Sequence, residues 1–325
     1  MFPPQIEIMK AHVAPSIYVP DKLIPGKTVI DYELDKYEGQ GWCAQEKLDG
    51  THIVVIKNGS LAMMSRSWKN DFAPMYPEIA AELMELPDNT ILDGELVFYR
   101  KDNGKPEFVT ALATPETKAN YDVKLMLFDV LKSTGVQSER IAIVEAFCKQ
   151  HDWKHIAPIP TVYSGFTDFY KRTVANGGEG IMLKKLDSKY VEGTRTSKWL
   201  KVKRVTTDDC VVLGLATGEN KFASLFGALV VGQFINGKMQ VVARVSGMTD
   251  AIRNELNTQI RALPSDTTGT FWKGEDKDVF HKIAPGMVVE VEYMERTDSE
   301  KLRHPRFVRV RDDKPWNECV AQLKE

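Results

Sequence analysis

Lys47 is followed by Asp49 and Gly50 in the stretch Gln45-Glu46-Lys47-Leu48-Asp49-Gly50. A lysine amine attacks only when deprotonated, so it does chemistry where neighbouring charges lower its affinity for a proton. Two carboxylates interrupt apolar runs: Glu95 in Thr90 to Tyr99 (TILDGELVFY) and Asp129 in Val123 to Leu131 (VKLMLFDVL). Burying an unpaired carboxylate is costly, so positive partners are expected nearby. Lys201 and Lys203 stand two residues apart on a strand-like run and point to one face. Taken singly, each of these has an ordinary structural reading, as a bulge, an edge cap or a solvent-facing lysine. Together they suit a cleft for a nucleoside polyphosphate with a divalent metal. The carboxylates would take the ribose and Mg²⁺, and the lysines the phosphates. Phe128, beside Asp129, offers an aromatic face to a base.

The elements that must position these residues are legible in part. Thr51 to Ile56 is rich in β-branched residues and is followed by Asn58-Gly59 and Ser60 to Ser65, a strong hairpin signal. Lys47 therefore stands at the entrance to a hairpin. Tyr76 to Leu86 reads as a helix, with Ile79, Ala80, Leu83 and Leu86 on one face and Pro77 in its first turn. Thr90 to Tyr99 and Val123 to Leu131 read as strands, and Gln137 to Gln150 as a helix. Thr161 to Tyr163 is a short strand. Phe166 to Ala175 is a helix ended by Asn176-Gly177-Gly178. Gly180 to Lys185 and Lys198 to Val205 complete a first domain. Residues 1–40, with prolines at 3, 4, 15, 20 and 25, read as an irregular arm with a short strand or helix around Val29 to Glu38.

Beyond Val205 to Asp208 the character changes. Asp209 to Ala216, Gly227 to Ile235 and Lys238 to Ser246 read as strands, the last two joined by Asn236-Gly237. A helix over Asp250 to Leu263 precedes strands at Met287 to Met294 and Arg306 to Arg311. Five strands with a helix between the third and fourth fit a small oligonucleotide-binding (OB) barrel.

Composition sets bounds. A chain of 325 residues, 43% hydrophobic and 27% charged, is an ordinary globular protein of about two domains. No apolar run reaches the ~18 residues of a membrane span, and no secretory signal is visible. Cys43, Cys148, Cys210 and Cys319 follow neither a metal-binding nor a disulfide pattern, which fits a reducing cytoplasm. Net charge is −2, yet residues 184–204 hold eight basic residues against two acids, and residues 301–314 six against two. Such blocks are compatible with phosphate binding, as well as with a solvated face.

In order along the chain stand Lys47-Leu48-Asp49-Gly50 (K-x-D-G), Ser65-Arg66, Asp93-Gly94-Glu95-Leu96, Leu127-Phe128-Asp129, Glu179-Gly180-Ile181-Met182-Leu183-Lys184, Lys198-Trp199-Leu200-Lys201-Val202-Lys203 and Arg311-Asp312-Asp313-Lys314. In this set the sequence resembles the ATP-dependent polynucleotide ligases, most of all the compact DNA ligases of bacteriophages and large viruses, within the covalent nucleotidyltransferase superfamily. A lone K-x-D-G is weak; seven elements in order are specific. The resemblance spans residues ~45 to 315 and includes the run Glu292 to Arg309.

The resemblance implies an α+β architecture: an ATP-grasp-like adenylation (nucleotidyltransferase) domain of antiparallel sheets with flanking helices over residues 1–206, then an OB-fold β-barrel over 207–325. It implies that Lys47 attacks the α-phosphate of ATP and that Glu95 holds the ribose. Phe128 stacks on adenine, and Lys201 and Lys203 hold the α-phosphate. Glu46, Asp49 and Gly50 complete the nucleotide site. Glu179, with Glu95, binds Mg²⁺ or Mn²⁺. Arg66 grips the 5′-phosphate of a nick, and Arg311, Asp313 and Lys314 orient pyrophosphate. The implied partner is nicked duplex DNA, met by a cytoplasmic monomer (in the host cytoplasm if viral) acting in replication, repair or recombination. No additional DNA-clamping domain is recognised ahead of the nucleophile motif.

One position departs from the family pattern. Two residues after the motif glycine the family usually carries arginine, and here stands His52. Histidine is shorter and titrates near neutrality, so either its contact is weaker, pH-dependent or supplied by another residue such as Arg66 or Lys69, or His52 is a plain strand residue. Competing readings are an RNA ligase or mRNA-capping guanylyltransferase of the same superfamily, and a non-enzymatic OB-fold nucleic-acid-binding protein.

Overall fold

The structure is a computed structural model and describes residues 5–20, 28–107, 109, 114–266, 279–297 and 299–321. The chain divides into two compact units. One comprises Met1–Ser16 with Tyr32–Arg204, the other Ile17–Asp31 with Val205–Glu325.

The N-terminal region is not an irregular arm. It forms strand β1 (Lys10–Val13), then a hairpin of β2 (Ile17–Pro20) and β3 (Thr28–Asp31) that groups with the second unit. A 3₁₀ turn follows at Leu34–Tyr37. β1 lies parallel to a strand some 185 residues later, pairing Lys10 with Arg195. β1, a four-residue strand with a distant partner, leaves no local periodicity to read, whereas β3 and the 3₁₀ turn fall where the sequence predicts a short strand or helix.

The first unit continues with β4 (Trp42–Glu46), β5 (Thr51–Asn58), β6 (Ser60–Ser65), α1 (Pro77–Leu83), β7 (Thr90–Arg100), β8 (Pro106–Glu107), α2 (Pro115–Asn120), β9 (Tyr121–Val130), α3 (Gln137–Gln150), β10 (Ile156–Pro158), β11 (Thr161–Val162), α4 (Phe166–Ala175), β12 (Gly180–Lys185) and β13 (Arg195–Lys203). These make two sheets. One runs β1-β13-β12-β4-β11. The other runs β10-β9-β7-β5-β6, with β8 on β7. The β5–β6 turn is closed by Asp88, which accepts from Gly59 N (2.9 Å) and pairs with Lys57.

Side-chain alternation decides what each face does. Ile53, Val55, Leu92, Leu96, Phe98, Leu125 and Leu127 pack with Ile79 and Leu83 of α1 and Val144 of α3. Burial of each such side chain stabilises by about 1.5–3 kcal/mol. The same alternation turns His52, Glu95 and Phe128 to the opposite face of β5, β7 and β9. His52 lies directly across from Glu95.

The second unit adds β14 (Thr206–Ala216), β15 (Ala228–Ile235), β16 (Lys238–Val245), α5 (Asp250–Arg261), β17 (Val279–Lys282), β18 (Val288–Tyr293) and β19 (Arg306–Val310). Its sheet runs β16-β15-β14-β18-β19, with β17 on β14. The edge strands meet at one point, where Phe307 N donates to Ser246 O (2.9 Å). That is the partly open geometry of an OB fold. Leu256 and Ile260 of α5 enter its core with Val231, Val242 and Val289. Thr249 caps α5, accepting from Ile252 N. The short strand β17, absent from the sequence reading, joins the five expected strands. Among the described residues no helix is long and apolar enough to cross a membrane.

Candidate active site

Lys47 is held where β4 leaves its sheet: its backbone N donates to Gly180 O at 2.8 Å. Gly180 has φ +138°, and a Cβ there would lie 2.0 Å from Val202 O, so only glycine fits. Across β4, β12 and β13 the register makes rows on one face. Gly180 stands opposite Lys203, Met182 between Gln45 and Lys201, and Lys184 between Cys43 and Trp199. Glu179, just before β12, reaches into the first row. Its Oε2 pairs with Lys47 Nζ and its Oε1 with Lys203 Nζ at 2.9 Å. Burial, then the charges of Lys47, Lys203, Arg66 and Arg195, bring Lys201 down to about 8. Arg66, exposed beyond β6, is thus felt at Lys201 and also at His52.

Glu95 lies on the other sheet. Burial pushes its carboxyl up to about 7, against the pull of His52, Lys47 and the Gly50 N–H. Gly50 N donates to Glu95 Oε1 at 3.2 Å. A Cβ on Gly50 would stand 2.3 Å from Leu96 O, so the loop that follows Lys47 approaches β7 closely enough to require glycine. Asp49 is half-buried in the same loop, and burial raises the Glu46 carboxyl. His52 Nε2 is 2.6 Å from Asp93 Oδ1. Burial works against protonation of this ring, but the Asp93 and Glu95 charges outweigh it and raise its affinity for a proton.

Phe128 packs at the far end of the rows with Met9, Ala11, Met182, Tyr190 and Trp199. Beneath it Asp129, fully buried, is gripped by Arg140 through Nε–Oδ1 (2.7 Å) and Nη2–Oδ2 (3.3 Å). Gln137 Oε1 accepts from Arg140 Nη2 (2.8 Å) and Trp199 Nε1 (2.7 Å). Lys184, also buried, stands among these groups; burial depresses its proton affinity and Asp129 opposes that. The acid inside β9 signals a cation in the sequence, but not which one. Arg140 lies on a helix and Lys184 on a strand, and neither spacing singles it out.

Arg311, Asp313 and Lys314 belong to the second unit. Arg311 donates from Nη1 to Asp209 Oδ1 (2.8 Å), and from Nε and Nη2 to Asp313 (2.8 and 3.0 Å). Lys314 Nζ donates to Glu318 Oε2 at 2.9 Å. The first unit by itself gathers Glu46, Lys47, Asp49, Gly50, Glu95, Phe128, Glu179, Lys201 and Lys203.

Among the described residues no group of three or more His, Cys, Asp or Glu forms a ready-made metal site. Glu179, a single carboxylate between two ammonium groups, suits an ion that arrives with a polyphosphate. Mg²⁺ characteristically binds through one or two carboxylates plus substrate phosphates and water. Chemically, the face presents an amine, an acid beside it, two further lysines and an aromatic shelf. That set can hold a nucleotide and accept its α-phosphoryl group.

Residues 26–203 match the family described as ATP dependent DNA ligase domain, and residues 222–314 match the ATP dependent DNA ligase C terminal region. The chain belongs to the ATP-dependent DNA ligase family. It is 30% identical to a DNA ligase of Thermococcus onnurineus, over 86% of this chain and 54% of that protein. To a DNA ligase of Methanoculleus marisnigri it is 32% identical, over 86% and 53%. To the multifunctional non-homologous end joining protein LigD of Mycolicibacterium smegmatis it is 29% identical, over 88% and 38%. The chain thus spans about half the length or less of these curated relatives. These relatives are archaeal and bacterial. Its fold is shared with the solved protein Pmar-Lig_Pre (TM-score 0.67, 22% identity, 95% of this chain and 68% of that one). It is shared also with a Lig E DNA ligase (TM-score 0.60, 20% identity, 86% and 96%).

Proposed function

We propose that this chain seals 5′-phosphate/3′-hydroxyl nicks in duplex DNA, using ATP and a lysyl-AMP intermediate. The observation that carries the reading is the Glu179 carboxylate set between Lys47 and Lys203, with Lys201 in the next row. Lys47 Nζ, having lost a proton, attacks the α-phosphorus. The bond to the bridging oxygen breaks and pyrophosphate leaves. An oxygen of the nick's 5′-phosphate then attacks the same phosphorus, breaks the P–N bond and returns the amine. Finally the 3′-hydroxyl attacks the DNA phosphate, and AMP departs with the bond electrons. Such transfers depend on positioning and charge stabilisation.

Each side chain has a place in this scheme. Lys201 and Lys203 hold the α-phosphate, Glu95 the ribose and Phe128 the adenine, while Glu46, Asp49 and Gly50 shape the nucleotide loop. Arg66 meets the 5′-phosphate of the nick. Arg311, Asp313 and Lys314 serve the pyrophosphate leaving group from the second unit. Mg²⁺ would be held by Glu179 and Glu95 and would supply neutralisation of phosphate charge. The partner is nicked duplex DNA, met by a cytoplasmic monomer.

Labelling with α-³²P nucleotides tests the reading. The expected result is an adduct at Lys47 with ATP, absent in Lys47→Ala and chased into sealed product by a nicked duplex. Labelling by GTP and not ATP would overturn it in favour of a capping enzyme. Preferential sealing of nicked RNA would favour an RNA ligase.

A further inference from the structure

Lys184 is a buried ammonium that, among the described residues, has no carboxylate within ion-pair distance. Its nearest acid, Asp129, is already held by both nitrogens of the Arg140 fork. Lys184 Nζ instead donates to Phe128 O at 3.2 Å. It also lies 4.8 Å from the centroid of the Phe128 ring and 4.3 Å from that of Trp199. The two rings meet edge to face at 6.5 Å. Burying an ammonium that shares its only strong acid, Asp129, with Arg140 is expensive, and an apolar side chain would fill the same space without that cost. What the ammonium touches shows what it holds.

What it holds is one residue, twice. The hydrogen bond fixes the backbone of Phe128, and the cation on the ring face fixes the side chain. Trp199 backs the same ammonium and is itself anchored through Nε1 to Gln137. Met182, two residues before Lys184 and on the same face of β12, packs in the same cluster as Phe128. The strand that carries Lys184 thus also carries the residue opposite Lys201.

We propose that Lys184 is a positioning residue for nucleotide binding, which sets the Phe128 ring as the platform for the base. The proposal rests on the reading that Phe128 stacks the adenine. Lys184 touches neither the reacting phosphorus nor Lys47, so its removal weakens capture of ATP and leaves the chemical step alone. That is a loss of uniform binding, seen as a raised KM at constant kcat.

The test is self-adenylylation kinetics on four variants of the full chain: Lys184→Met, Lys184→Gln, Phe128→Ala and Lys184→Gln with Phe128→Ala. The expected result is a KM for ATP raised about tenfold by Lys184→Met, and less by Lys184→Gln, which keeps a donor for Phe128 O, with kcat within about twofold. In the Phe128→Ala background the Lys184→Gln change adds nothing further, since residues acting as a unit are not additive. An equal rise in both backgrounds overturns the proposal, as does a fall in kcat at constant KM. If Phe128→Ala alone leaves KM unchanged, the stacking role of Phe128 fails, a distinct outcome that removes the proposal's footing. Chemical denaturation accompanies the kinetics. Loss of cooperative unfolding in both single Lys184 variants also overturns the proposal, because Lys184 would then serve the fold itself.

Discussion

The two oxygens of the Glu179 carboxylate are divided between two lysines: Oε2 pairs with Lys47 Nζ, and Oε1 with Lys203 Nζ at 2.9 Å. One acid therefore ties together the two amines to which the proposed function gives attack and phosphate binding. Glu179→Ala removes the tie and leaves two ammonium groups facing each other. Adenylylation and sealing should each fall by at least about 100-fold, the scale on which positioning groups act. Stability should change by no more than about 1 kcal/mol, because both lysines reach solvent. Wild-type turnover in Glu179→Ala would remove this residue from the site.

The absence of a three-acid cluster among the described residues bears on metal use. If the ion enters with the polyphosphate, Mg²⁺ alone should leave the melting temperature of the free protein unchanged. ATP and Mg²⁺ together should raise it on a Lys47→Ala background, where no turnover occurs. Ligand linkage predicts a shift only for a species that binds the folded state. A clear rise with Mg²⁺ alone would show a resident site.

Gly180 joins the fold to Lys47. Its carbonyl accepts from Lys47 N, and a Cβ on it would meet Val202 O at 2.0 Å. Gly180→Ala must part β12 from β13, at about 2–3 kcal/mol from strain and overpacking. Adenylylation should drop by more than the unfolded fraction explains, because Lys47 moves with the strand end. Denaturant melts beside adduct yield check both halves.

Glu95 gives a pH signature. Its carboxyl titrates at about 7 when folded, against about 4.5 for the free side chain. The folded state thus binds this proton more tightly than the unfolded chain. Stability attributable to this group is full below about pH 4.5, declines as pH rises toward 7, and stays reduced above that. Glu95→Gln keeps an acceptor for Gly50 N and removes the charge. It should be more stable than the parent at pH 8 by about 1–3 kcal/mol and equal to it near pH 4.5. Adenylylation should be strongly impaired at every pH, the stability cost of a functional carboxylate. Denaturation at the two pH values decides; a destabilised variant at pH 8 would contradict the assignment.

Local chemistry made most strands and helices of both units readable, and long-range pairing hid strand β1 and the grouping of the N-terminal hairpin. The hairpin around Gly59 announces itself by Asn58-Gly59 between β-branched runs, and the helix Phe166–Ala175 by its Asn176-Gly177-Gly178 stop. Strand β1 depends on Arg195 and its neighbours far along the chain, so no window around Lys10 contains the information. The grouping of Ile17–Asp31 with the second unit is likewise a property of the folded contacts. At the site, Asp129 inside an apolar strand demands a cation, yet Arg140 and Lys184 are equally good candidates until α3 and β12 are placed. The division of Glu179 between two lysines follows from the Gly180–Lys203 register, which no spacing in the sequence encodes.

In the proposed scheme Arg311 separates the step that uses ATP from the steps that use DNA. Its guanidinium is committed within its own unit, to Asp209 on one edge and Asp313 on the other. The hydrogen bonds from Arg311 hold the Asp313 carboxyl down to about 2. A depressed carboxylate contributes above its unfolded value and loses that contribution only as pH falls through about 2, so this pair is constant across the neutral range. Any change in activity between pH 6 and 8 must then arise elsewhere, from groups such as Glu95, pushed up to about 7, and Lys201, brought down to about 8. Arg311→Ala should reduce self-adenylylation by at least about tenfold while changing the sealing of a pre-adenylylated nick by less than about twofold. Arg311→Lys, which keeps the charge but not the fork, should fall between them. Equal loss in both steps would contradict a role confined to the pyrophosphate leaving group.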